Sequence, residues 1–173
     1  MSIIGTPKDV LHDPPSVRYV LITIIISFLL YLLPADGALV FLRVDLPLLV
    51  ILFWCIHQPN YVGFAIGFVV GLLVDVTDGN ILGQHAIAYM LAIFLALVIR
   101  LRILKFKLWQ QALHILALLL ISQMLVAVTH LFLPSAFPGW AYFIASFIGA
   151  LLWPVITFAL EYPQLLAARA RND

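Results

Sequence analysis

The sequence predicts an all-α integral membrane protein with six transmembrane helices. Of its 173 residues, 65% are hydrophobic and only 10% are charged. Six apolar segments also alternate with short breaks that contain proline, glycine or charged residues. A soluble domain carries about 25% charged residues, and a chain with so few cannot cover a surface that faces water. We therefore expect one membrane domain over 1–173, with short cytoplasmic tails at 1–16 and 162–173.

The lengths of the apolar segments are those of membrane helices, although two of them are short. A helix rises about 1.5 Å per residue, so about 20 residues cross the hydrocarbon core of a bilayer. The breaks between segments consist of turn formers and charges, which is where helices end. The six segments cover residues 17–33, 38–56, 61–76, 83–100, 108–131 and 139–160.

The second segment contains two charged residues, Arg43 and Asp45, near its start. We predict a short interfacial stretch at 38–44, followed by a helix with Asp45 as its N-cap and Pro47 in its first turn. The helix that remains is short, and so is the third segment. We expect these two to form a close hairpin that longer neighbours shield, with some local thinning of the bilayer.

Lysine and arginine residues fall on one side of the predicted bundle. With six spans and a cytoplasmic start, eight of the nine basic residues are cytoplasmic and only Arg43 is outside, which places both termini in the cytoplasm. A basic loop between the fourth and fifth spans sets this topology, or it also contacts anionic headgroups or a cytoplasmic partner. The loop contains Arg100, Arg102, Lys105 and Lys107.

A stripe of small residues runs along the third segment. Gly63, Gly67 and Gly71 recur every four residues, and Asp75 continues the line by one more turn. Residues four apart share one helix face, and small residues let helices approach closely in lipid. We expect a helix-packing face, and the spacing leaves open whether it packs within the bundle or against a partner or ligand.

Asp75 is followed by a polar turn cluster. Asp75 either caps the next helix near the headgroups, or it faces the bundle interior or a partner as a paired charge. In both cases we expect it to contact Asp78, His85 or Arg43. One histidine and two aspartates without helical ligand spacing are weak evidence for a metal, so we predict none. The cluster consists of Arg43, Asp78, Gly79, Gly83 and His85.

The sequence contains no recognisable catalytic constellation. It lacks a serine–histidine–aspartate order, paired catalytic carboxylates and a glycine–lysine phosphate loop. The single cysteine, Cys55, excludes an internal disulfide and a cysteine metal cluster. The net charge of +1 comes without a basic run long enough for nucleic acid. We therefore predict no enzymatic activity, no cofactor and no nucleic-acid partner.

The stretch from Gly67 to Ala86, GFVVGLLVDVTDGNILGQHA, resembles the signature of the rod shape-determining MreD family. Asp75, Gly79 and Gly83 match that signature. The order of the surrounding segments is also similar, including the Leu-Trp-Gln-Gln-Ala stretch at 108–112, and the resemblance covers residues 19–160.

The resemblance implies a component of the bacterial inner membrane that rod shape and lateral peptidoglycan synthesis require. It implies MreC, a single-span protein with a large periplasmic part, as a partner. It also places MreB filaments, RodA and its partner transpeptidase in the same complex, among membrane lipids. The implied fold is similar to the membrane subunits of energy-coupling-factor transporters. We expect a non-enzymatic scaffold or adaptor, and a small-molecule-binding or transport subunit is the alternative.

Overall fold

Six helices make up the structure, a computed structural model that describes residues 16–33, 44–79, 81–131 and 140–172. Side chains at 130, 131, 140, 141 and 167–172 are not described. A 3-10 turn at Trp140–Phe143 precedes the last helix, and no strand occurs within the described ranges. The predicted all-α class is confirmed. The helices are α1 (Val17–Tyr31), α2 (Leu46–His57), α3 (Phe64–Asp78), α4 (Gln84–Ile103), α5 (Leu108–Leu131) and α6 (Ile144–Asn172).

Three of the helices are long and apolar enough to cross a membrane. They are α4, the Leu108–Thr129 part of α5 and the Ile144–Leu166 part of α6. α1 and α2 are apolar but shorter, with 15 and 12 residues. The structure thus supports a membrane protein, and the crossing of the bilayer by all six helices stays a prediction.

α2 is the central helix of the bundle. Ten of its residues, from Pro47 to Ile56, are buried. Asp45 is its N-cap and accepts a hydrogen bond from the Leu48 N–H at 3.0 Å. The predicted start of this helix, with Pro47 in the first turn, is confirmed. Most of the expected interfacial stretch, 38–43, lies outside the described residues.

α3 packs against α4 rather than α2. The close hairpin that we expected from the second and third segments is therefore wrong, although longer helices do surround α2, which packs on α1, α4 and α6. The reason lies in the glycines of α3, which face α4 and let the two backbones approach. A short helix with a flat face gains more from that close contact than from following its predecessor in the chain.

α6 extends beyond its predicted end near residue 160. It continues to Asn172 through Pro154 and Pro163, so most of the predicted C-terminal tail is helical. A proline removes one backbone donor from a helix and disturbs the preceding turn. In the turn before Pro163, the Leu160 carbonyl accepts from Gln164 Nε2 at 2.7 Å and from the Tyr19 hydroxyl at 3.2 Å, and the second bond ties α6 to α1.

At one end of the bundle, which we call the capping end, tyrosines join neighbouring helices. Tyr31 in the last turn of α1 donates to Asp78 Oδ2 at 2.5 Å, in the last turn of α3. Tyr89 in α4 donates to Asp45 at the start of α2. The ends of α1 and α3 therefore lie beside the starts of α2 and α4, so that successive helices run in opposite directions.

At the other end, which we call the basic end, α2 and α4 finish beside Glu161 of α6, and α6 continues past them to Asn172. Arg100 Nε in α4 donates to the Ile56 carbonyl at 2.5 Å, next to the last residue of α2. His57 Nε2 lies 3.4 Å from Glu161 Oε1 of α6. The basic loop begins at this end, where α4 stops at Ile103.

Gly67 and Gly71 form the contact between α3 and α4. A Cβ atom at Gly71 would stand 2.5 Å from Ala86 Cα and 2.7 Å from Ala86 N, both backbone atoms of α4. A Cβ atom at Gly67 would meet Ile93 Cδ1 at 2.1 Å, the end of a flexible side chain. Gly63 does not share this face. It is the extended N-cap of α3, and a Cβ atom there meets nothing within 4 Å.

We expect alanine substitutions at the three glycines to lower the free energy of unfolding by different amounts. Gly71→Ala should lower the free energy of unfolding the most, by about 1–3 kcal/mol, because rigid backbone blocks the new methyl group. Gly67→Ala should cost less, since Ile93 can change rotamer. Gly63→Ala is the matched control with little effect. Unfolding by SDS in mixed micelles measures all three, and equal values for Gly71→Ala and Gly63→Ala would contradict this packing.

Candidate functional site

The carboxylate of Asp75 is buried at the end of α3, with 0% of the residue exposed. Oδ2 accepts from the Gly83 N–H at 2.8 Å. Oδ1 accepts from the His85 N–H at 2.9 Å and from His85 Nδ1 at 2.8 Å. Both oxygens are therefore engaged by donors at the start of α4. We call Asp75, Gly83 and His85 the capping cluster.

Glycines at both ends of the turn make this arrangement possible. α3 ends at Gly79, whose φ of 66° is the left-handed conformation typical of a helix C-cap. α4 begins at Gly83 with a φ of 101°, which side chains disfavour. Gly83 occupies the N-cap position but has no side chain to cap the helix. Asp75 supplies the missing acceptor from the preceding helix, so it caps α4. It is also buried in the bundle and contacts the His85 ring, so the structure combines the two alternatives that the sequence left open.

The imidazole of His85 is fixed by the same carboxylate. Because a carboxylate only accepts, Nδ1 carries the hydrogen in this contact. The ring is nearly buried and meets the Tyr89 ring edge-on, with centroids 6.2 Å apart. Tyr89 in turn donates to Asp45, the N-cap of α2. His85 and Tyr89 lie on one face of α4, and through them the caps of α2 and α4 come close together.

Several polar contacts of the capping end involve residues outside the predicted glycine stripe and polar turn cluster. Gln84 Nε2 donates to the Val126 carbonyl of α5 at 2.9 Å. Ser146 of α6 donates to Gln123 Oε1 of α5 at 2.5 Å. Tyr31 holds Asp78 in the same way. Their residue types were an available signal, because isolated amides and hydroxyls in apolar helices usually bond to another helix.

The other predicted site residues lie at the basic end or outside the described residues. Arg43 is not among the described residues, so its expected contact with Asp75 is not seen. Arg102, Lys105 and Lys107 are exposed at the basic end, at the opposite end of α4 from the capping cluster. Arg100 lies there too, half-buried, and bonds to α2.

The capping cluster holds the start of α4 against the end of α3. Each Asp75 oxygen already accepts from the α4 terminus, and that negative charge also favours the positive end of the helix dipole. No group of three or more histidine, cysteine, aspartate or glutamate side chains that suits a metal ion occurs in the part of the chain that the structure describes. The cluster therefore fixes the α3–α4 turn and the angle between the two helices.

We predict that Asp75→Asn destabilises the fold although it preserves the shape. In asparagine an NH₂ group replaces one of the two carboxylate oxygens. Its hydrogens would then face a backbone N–H that the oxygen had accepted from. The cost of a buried unsatisfied donor is about 1–3 kcal/mol. The free energy of unfolding in SDS mixed micelles measures it, and Thr77→Ala is the control, because that hydroxyl bonds only within α3 at 2.9 Å.

A double-mutant cycle separates this role from a general effect of lost charge. Asp75→Asn and His85→Ala should couple by about 0.5–3 kcal/mol, as contacting residues do. Additive effects of the two substitutions would show that the carboxylate and the imidazole act independently, contrary to the geometry described above.

Comparison with known proteins identifies the family. The chain matches the family described as rod shape-determining protein MreD over residues 16–162. It is similar to the rod shape-determining protein MreD of Haemophilus influenzae, with 29% identity over 130 residues, which cover 75% of this chain and 80% of the relative. No solved structure matches the chain. The match runs through all six helices and includes the capping cluster. The chain belongs to the MreD family of rod shape-determining proteins.

Proposed function

We propose that this protein is a non-enzymatic scaffold of the bacterial cell-elongation complex in the inner membrane. In this role it supports rod shape and lateral peptidoglycan synthesis by holding MreC through membrane helices. The observation that carries the proposal is the family match over 16–162, since the family determines rod shape. RodA, its partner transpeptidase and MreB are further members of the proposed complex.

The distribution of polar groups supports a scaffold. The buried carboxylates and amides of the capping end bond to neighbouring helices of the same chain, which leaves them little capacity for substrate chemistry. Large apolar side chains point outward instead, such as Ile25, Val98 and Leu151, each more than half exposed. Outward apolar faces in a membrane protein meet lipid or another membrane helix.

We also propose six spans with both termini in the cytoplasm. The chain alternates in direction, and α2 and α4 end at the basic end, where α6 passes beside them. In the proposed orientation this end is cytoplasmic, together with the basic loop. The distribution of lysine and arginine supports that orientation. A fold similar to the membrane subunits of energy-coupling-factor transporters belongs to the same proposal, on the strength of the sequence resemblance.

Single cysteines introduced into a Cys55→Ser background test the topology. Cysteines at Lys8, Leu104 and Ala170 should react with a membrane-impermeant maleimide only after the cells are opened, whereas one at Asn80 should react in cells with a permeabilised outer membrane. Cys55 is buried, so its removal serves only to lower the background. Labelling of Ala170→Cys in unopened cells would contradict the even number of spans.

A photo-crosslinking scan tests the scaffold role. A benzophenone amino acid is placed at one outward position on each helix except the buried α2, and MreC is co-expressed. We expect MreC crosslinks from one helix or two neighbouring helices and none from the rest, because a single partner helix covers one face. Absence of crosslinks at every position, together with absence of MreC from the detergent-purified protein, would refute the proposal. The positions are Ile25, Val69, Phe94, Leu113 and Phe158.

The alternative, a small-molecule-binding or transport subunit, predicts a different result from the same preparation. A bound metabolite would be released on denaturation and detected by mass spectrometry, without a stoichiometric membrane partner. Such a subunit needs a polar-lined space between its helices. A cavity of about 180 Å³ lies at the basic end, between the last turn of α2 and residues Glu161 and Gln164 of α6, rather than at the middle of the bundle.

A further inference from the structure

A small cavity lies at the capping end, between the start of α2, helix α5 and the start of α6. Its volume is about 10 Å³, which is room for one water molecule and too little for a metabolite or a lipid headgroup. No residue of the capping cluster lines it. The polar side chains that line it are Asp45, Ser122, Gln123 and Ser146.

The hydroxyl of Ser122 lines this cavity without a hydrogen-bond partner. The residue is only 3% exposed, and its hydroxyl bonds to no residue in the described part of the chain. Four other hydroxyls of these helices donate to the carbonyl three residues earlier, as serine and threonine commonly do. Ser122 does not, so its O–H needs an acceptor from the cavity. The four are Thr23, Ser27, Thr77 and Thr129, at 2.6 to 2.9 Å.

The carboxylate of Asp45 engages only one of its two oxygens. Oδ1 accepts from the Leu48 N–H at 3.0 Å and from the Tyr89 hydroxyl. Oδ2 accepts from none of the described residues, and an ionised carboxylate oxygen needs a donor when it faces the protein interior. Ser122 does not supply that donor directly. No hydrogen bond joins the two residues, although both line the same small cavity.

One water molecule satisfies both groups at once. It donates to Asp45 Oδ2 and accepts from the Ser122 hydroxyl, and so bridges two polar groups that do not bond directly. Its second hydrogen finds an acceptor in Gln123 Oε1. This oxygen takes one bond from Ser146 at 2.5 Å and retains a second lone pair. A buried water typically makes about three hydrogen bonds, and this lining provides them.

A metal cation suits the cavity less well than water does. The cavity lies at the start of α2, where the helix dipole places partial positive charge. Divalent cations take about six or more oxygen ligands. The described lining offers four polar side chains, and two of these already bond to each other. A neutral molecule with both donors and acceptors fits the unpaired O–H and the unpaired carboxylate oxygen.

We therefore infer that the cavity binds one ordered water molecule, which bridges Asp45 at the start of α2 to Ser122 and Gln123 of α5. The N-cap of α2 is then held from two sides, because Tyr89 of α4 already donates to the same carboxylate. The inference goes beyond the scaffold role and does not depend on it.

Radiolytic hydroxyl labelling of the full-length protein in detergent tests this bridge. X-rays split bound water as well as bulk water, and the hydroxyl radicals oxidise side chains that touch the water even when these are buried. Leu48 and Leu119 line the cavity and are 1% and 3% exposed. Their neighbours Leu49 and Leu118 are 0% and 2% exposed and do not line it. We expect several times faster oxidation of Leu48 and Leu119, and equal rates within both pairs would overturn the inference.

The same labelling in different salts separates water from a cation. The protein is irradiated in buffers that contain sodium, potassium or only a large organic cation. Water in the cavity predicts the same oxidation of Leu48 and Leu119 in each buffer. Protection of these two leucines by sodium or potassium would show that a cation occupies the cavity, and would also overturn the inference.

One variant and one control locate the water. Ser122→Val removes the hydroxyl and places methyl groups in the space of the water, so it should abolish the difference between Leu119 and Leu118. Thr129→Val should preserve that difference, because the Thr129 hydroxyl bonds to the Val126 carbonyl of its own helix at 2.6 Å.

Persistence of the difference in a Ser122→Val protein that elutes as a single species would refute the site. If that variant does not fold, the leucine pairs of the unmodified protein decide alone. None of these results affects the MreC crosslinks, so failure of this inference and failure of the scaffold proposal are separable.

Discussion

The structure depends on how the bundle completes the hydrogen bonds at the ends of a short buried helix. α2 has 12 residues, which span about 18 Å at 1.5 Å per residue, well short of an apolar layer of about 30 Å. Its terminal peptide groups therefore need partners inside the protein. Asp45 caps its start, while Arg100 and His57 donate to carbonyls of its last turn. Other helices are arranged around these contacts, which explains why charged groups lie so deep.

The same requirement explains the capping cluster. α3 and α4 approach closely because Gly67 and Gly71 have no side chains, and this contact buries Asp75 and His85 at the start of α4. The first N–H groups of α4 then need an acceptor from the protein, and Asp75 provides one. The packing glycines and the carboxylate therefore act together. Glycine permits the contact, and the aspartate satisfies the polar groups that the contact buries.

The two ends of the bundle differ in what they leave available. At the capping end, carboxylates, amides and tyrosines bond to one another and to helix termini, so that end is fixed. At the basic end, Glu161 remains partly exposed beside a cavity, and the exposed basic loop follows α4. The capping end is thus the fixed part of the bundle, and the basic end is the part that stays reachable.

The sequence by itself determined the class of protein, the approximate helix limits, the N-cap at Asp45 and the family. Composition, periodicity and capping are local properties, and each is visible in a short stretch of chain. Only the tertiary structure decided that α3 packs on α4, that Gly63 lies outside the packing face, that α6 continues past Pro163, and that His57 meets Glu161. Nearly every helix here is apolar on most of its faces, so hydrophobicity does not distinguish one pairing from another. The pairings follow from backbone approach and from hydrogen bonds between residues that are distant in the chain, and these arise only when all the helices are in place.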